Sequence, residues 1–122
     1  MSGPQVTEQG IRAQVKELGG KFLQRTATQV AAFREQLARL ASGDATMLTA
    51  VQEVAHKIHG SGAVFGFAQI SDCAGQLELS SLRMSKELGA TQQPPYAEWT
   101  QELTQSVDDL ARALEAAQQA NR

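Results

Sequence analysis

Residues 44–67 read DATMLTAVQEVAHKIHGSGAVFGF, and the fold follows from how that stretch is patterned. Met47, Val51, Val54, Ile58 and Phe65 recur at steps of three, four and seven, which puts them on one face of a helix and predicts a helix over about 44–64. Ser42-Gly43-Asp44 ahead of it reads as a turn followed by an N-cap, and Gly66 behind it reads as a breaker.

Working outward, Ile70, Cys73, Leu77, Met84 and Leu88 predict a second helix over about 67–88, closed by Gly89. Proline is accepted in a first helical turn, so Pro94-Pro95 opens a last helix striped by Trp99, Leu103, Val107, Leu110 and Leu114, with Gln118 to Arg122 expected to fray. Upstream, Phe22, Val30, Phe33, Leu37 and Leu40 mark a helix over about 21–41. Before it Ile11, Val15, Leu18 and Phe22 form another amphipathic stripe, interrupted by Gly19-Gly20, which either ends a short N-terminal helix or bends a longer one. The class is all-α. The expected architecture is an antiparallel up-and-down four-helix bundle with a short additional N-terminal helix, a single domain over 1–122.

The bulk numbers narrow the function. A chain of 122 residues with 42% hydrophobic content fills one core. Eleven Lys and Arg against thirteen Asp and Glu give no global field toward nucleic acid or an anionic membrane. The single cysteine, Cys73, has no internal disulfide partner, which suits a reducing compartment. The opening Met-Ser-Gly-Pro-Gln leads into no apolar segment, and no run approaches a membrane span, so a cytoplasmic location is expected. With no apolar stripe expected to be left over, monomer is the expected state.

At about 100° per residue, Ile58 lies about 200° from His56, so the histidine points away from its own helix's core face. Thr49, Gln52, Glu53, His59, Gly60 and Ala63 share its side. Gly60 sits one turn above the histidine where a partner would approach. Such an exposed histidine is either an ordinary surface residue or a nucleophile: a neutral ring nitrogen attacks phosphorus near neutral pH, and the phosphoramidate formed passes the group on. That chemistry needs solvent access and a tautomer fixed by a hydrogen bond to the other ring nitrogen. Lys57 and a protonated His59 would favour the added negative charge.

The run His56-Lys57-Ile58-His59-Gly60-Ser61-Gly62-Ala63-Val64-Phe65-Gly66-Phe67 resembles the signature of histidine phosphotransfer (HPt) domains of bacterial phosphorelays. That pattern has an acceptor His, then an apolar residue at two, a basic residue at three, Gly at four, small residues such as Ser61 next, and Gly at ten, here Gly66. The Phe-Gly-Phe ending is also similar to the phosphoacceptor domain of chemotaxis histidine kinases. The resemblance implies that His56 is the phosphoacceptor and that Glu78, twenty-two residues on, bonds its imidazole. His59 departs from the pattern, standing where Lys or Arg is usual.

The resemblance further implies a covalent carrier rather than an enzyme, exchanging phosphoryl groups with response-regulator receiver domains and with sensor or hybrid histidine kinases. It implies no cofactor of the carrier's own, the magnesium ion being held by the receiver. Docking would centre on Gly60 and Ala63, with Gln52 and Glu53 beside them. Three other readings have less behind them. A metal or haem bundle would use His56 and His59, with Glu53, and lacks a second ligand cluster; a metal site is not expected. A phosphorylation-independent adaptor or inhibitor would leave His56 without a task. A dimerising kinase core usually has Pro where this chain has Ser61.

Overall fold

The computed structural model describes residues 7–122; the opening Met-Ser-Gly-Pro-Gln, read above as no leader, lies outside them. Four helices follow one another: α1 Glu8–Ala41, α2 Thr46–Val64, α3 Ala68–Leu88 and α4 Tyr96–Ala120. There is no strand among the described residues.

Each start and stop has a local cause. The Thr7 hydroxyl accepts from the Gly10 backbone N–H at 3.0 Å and caps α1. Gly43, at φ +99°, turns the chain after Ala41. Asp44 then accepts from the Thr46 backbone N–H at 3.2 Å and from its hydroxyl, which satisfies a donor at the start of α2. Those bonds, chiefly the one from the Thr46 hydroxyl, hold the Asp44 carboxyl below its ordinary range. Gly66, at φ +80°, makes the tight reversal into α3. Pro95 stands at the N-cap of α4, and Trp99 Nε1 donates to Glu87 at 3.3 Å across to α3.

One cluster of buried apolar side chains draws on all four helices, with Phe33, Val51, Leu77 and Leu110 fully enclosed. Burying a side chain of this kind contributes about 1.5–3 kcal/mol. Leu48 and Ala55 join the core beside the predicted stripe of α2, whereas Val54 and Phe65 are only partly buried against it. Along α2 and α3 the facing positions run in opposite directions: Gly62 lies against Ser71, His59 against Gly75, and His56 against Glu78. Between α1 and α4 the same holds, with Gly43 near Tyr96, Arg34 bonded to Asp108, and Gly20 near Asn121.

Two expectations are corrected. No separate short N-terminal helix exists among the described residues: α1 runs unbroken through Gly19-Gly20. At Gly19 the missing side chain has a use, because the Phe67 ring packs 3.4 Å from where a Cβ would sit, and Phe67 in turn stacks on Phe22 at 5.7 Å. Secondly, the stripe before it is not core. Ile11, Val15 and Leu18 are each about half exposed, so an apolar stripe is left over after all. At about 1.5 Å per residue, α1 with its 34 residues outruns α2 with 19, α3 with 21 and α4 with 25, and no other described helix covers that end. The last helix, α4, is helical to Ala120, with the Asn121 N–H bonded to the Ala117 carbonyl at 3.0 Å.

Candidate functional site

His56 stands on the outward face of α2, with 68% of its side chain exposed. Its Nδ1 lies 2.7 Å from Glu78 Oε2 on α3, and the Glu78 side chain is only 15% exposed. An ionised carboxylate can only accept, so Nδ1 carries the ring proton and donates it. In the neutral ring Nε2 is then the unprotonated nitrogen, holding the lone pair that a nucleophile needs. The helix packing explains the contact: residues 55, 58 and 62 of α2 are buried against the core, which leaves position 56 at the upper edge of the α2–α3 seam, within reach of Glu78.

His59, one turn on, is held differently. Its Nδ1 donates to the Ser71 carbonyl at 2.7 Å, while the Ser71 hydroxyl donates to the His59 carbonyl at 2.7 Å. Its ring lies over Gly75, where a Cβ would come within 2.9 Å of Nδ1. The residue in the family's basic position is therefore bound down onto α3. Among the described residues no three His, Cys, Asp or Glu side chains come together as a metal site requires, and the two imidazoles turn to separate partners on α3.

The surface beside the histidine is open and small-sided. A Cβ at Gly60 would meet nothing within 4 Å, and Ala63 is exposed. A shallow depression of about 460 Å³ is lined by His56, Lys57, Gly60, Ser61, Val64 and Phe65. Gln52 and Glu53 lie one turn earlier, Gln52 partly covered and Glu53 exposed. Gly66 lies outside the depression, in the turn that ends α2. Val64 is the residue that the sequence reading missed. It is 82% exposed, an isolated apolar side chain in the wall next to Phe65. Eight residues after His56, it falls about 80° around the helix, so its angle alone gave the signal.

A family model of the Hpt domain matches residues 17–120. Hpt domains serve histidine phosphotransfer in phosphorelays, as carriers without kinase activity that work with receiver domains and histidine kinases. No curated protein and no solved structure gave a match. No described helix is long and apolar enough to cross a membrane. A match over most of the sequence, on an all-helical chain whose outward histidine meets a carboxylate of the next helix, places the chain in the Hpt domain family.

Proposed function

We propose that the chain is a single Hpt domain over 1–122, an antiparallel up-and-down bundle, in which His56 Nε2 accepts a phosphoryl group from a receiver aspartate or a kinase and returns it to a receiver aspartate. The observation that carries this reading is the 2.7 Å bond from His56 Nδ1 to Glu78 on a ring that is otherwise open to solvent.

The step balances with these groups. The Nε2 lone pair attacks phosphorus in line, an N–P bond forms, the P–O bond to the donor aspartate breaks, and that aspartate leaves as a carboxylate. The ring keeps its Nδ1 proton and becomes cationic, a charge that the Glu78 carboxylate offsets. Reversal of the same step delivers the group to the next aspartate. Lys57 adds a fixed positive charge at the edge of the site. His59 braces α2 on α3 and adds charge only when protonated. Gly60 and Ala63 leave room for the partner, with Gln52 and Glu53 at its margin; Ser61 and Gly66 shape the end of the helix. Mg²⁺ and the remaining charge neutralisation come from the receiver, so the carrier needs no cofactor. The setting is cytoplasmic.

Transfer from a panel of phosphorylated receiver domains and kinases to the native protein and to His56→Gln tests this, scored as acid-labile, base-stable label. Label on the native protein alone is the expected result. Label that persists in His56→Gln would overturn the assignment. A docking adaptor that never carries phosphate is the second reading. It would bind receivers equally well with either side chain and take no label.

A further inference from the structure

A groove of about 220 Å³ runs between α1 and α2, walled by Phe22, Arg25 and Gln29 on one side and Lys57, Ile58 and Ser61 on the other. Lys57 and Ser61 also line the depression that holds His56, so the two hollows share a wall. Arg25 and Lys57 are both exposed, and among the described residues neither meets a carboxylate. Arg34 pairs with Asp108 and Arg83 with Glu102, whereas Lys16, Lys86 and Arg122, also unpaired among the described residues, line neither hollow. Glu53, one turn before Lys57, stays outside pairing distance. Two unanswered cations on opposite walls of one groove thus form a local positive patch on a chain of net charge −2.

We propose that Arg25, acting with Lys57, is the docking cation for the receiver: it engages the acidic rim around the partner's phosphoryl-bearing aspartate. The inference rests on the proposed role of His56. A partner that presents an aspartyl phosphate beside metal-holding carboxylates is strongly negative at that edge. The net charge of this chain would repel it, so attraction has to be local, and at physiological salt charges act over only about 8 Å. The usual basic residue three places after the acceptor is here His59, with Nδ1 already given to the Ser71 carbonyl. Arg25 supplies a permanent charge from α1 instead. Cations on two different helices also set the partner's orientation, which one lysine cannot do. A charge at the rim of an interface changes association and its salt dependence more than the step that follows, so Arg25 is a positioning residue.

The test is the initial rate of His56 labelling against receiver concentration, for native protein, Arg25→Glu and Arg25→Lys, at about 50 and about 200 mM salt. Arg25→Glu is expected to raise the half-saturating receiver concentration about tenfold and to flatten its salt dependence, with the saturating rate within about twofold of native. Arg25→Lys should stay near native, and thermal unfolding should be unchanged in both because Arg25 is exposed. An unchanged half-saturation in Arg25→Glu, or a loss confined to the saturating rate, overturns the proposal. If native protein is labelled at His56 while Arg25→Glu titrates like native, this inference alone falls. If His56 takes no label in any variant, the proposed function falls and the inference with it.

Discussion

On the outward face of α2 a Cβ at Gly60 would meet nothing within 4 Å, whereas two residues on, at Gly62, it would lie 3.2 Å from the Ser71 backbone nitrogen. One helix thus uses glycine for two purposes. At Gly62 the missing side chain lets α2 and α3 approach, and that approach brings His56 and Glu78 together. At Gly60 it contributes nothing to packing and even costs the helix about 1 kcal/mol against alanine, a cost that makes sense if another molecule needs the space. The same division separates the two histidines. His56 gives its Nδ1 proton to a carboxylate at the edge of the seam; His59 gives its own to a backbone carbonyl within it.

Substitutions should separate the two faces. Gly60→Gln is expected to lower transfer about a hundredfold by misplacing the partner, while thermal unfolding shows the protein unchanged or more stable by up to about 1 kcal/mol. Normal transfer in that variant would remove the docking role of this face. Gly62→Val should do the reverse, costing about 1–3 kcal/mol through overpacking against Ser71, read as a lower denaturant midpoint. Glu78→Ala should slow phosphorylation about tenfold, in line with the loss of one charge-assisted hydrogen bond. Its stability should change little because His56 is largely in solvent. An unchanged rate would show that the Glu78 contact does not prepare the ring. For His59→Ala the expectation is a loss of about 0.5–1 kcal/mol in stability with transfer near native; a collapse of transfer would make the two histidines functional equals.

The smallest effect belongs to Asp44. Its carboxyl is held below the ordinary range in the folded protein, so its contribution is complete above the unfolded value and fades as pH falls through the folded one. Asp44→Asn should therefore differ from native in unfolding midpoint at neutral pH, and the two midpoints should converge in acid.

Much of this was legible in the sequence because helical period and turn residues are local signals. The stripes of α2, α3 and α4, the turn at Ser42-Gly43-Asp44 and the break at Gly66 lie within one or two residues of where they were read. What was not legible depends on neighbours. The stripe of Ile11, Val15 and Leu18 has the right period for burial, but period does not reveal that the partner helices stop short of it. Gly19-Gly20 reads as a breaker until Phe67 is found packed on Gly19 from the α2–α3 turn. The bond from His59 to Ser71 and the place of Arg25 across from Lys57 likewise depend on how far each helix is rotated toward the next. At the site, the outward direction of His56 followed from helical angle alone, whereas the reach of Glu78 came from a family resemblance, since spacing between two helices has no fixed period.

The measurement closest to the central claim is the position of the phosphoryl group on the imidazole, read by phosphorus and nitrogen NMR of the labelled native protein. Because Nδ1 is committed to Glu78, the group should be found on Nε2 of His56. Phosphorus bonded to Nδ1 of His56, or to His59, would contradict the account.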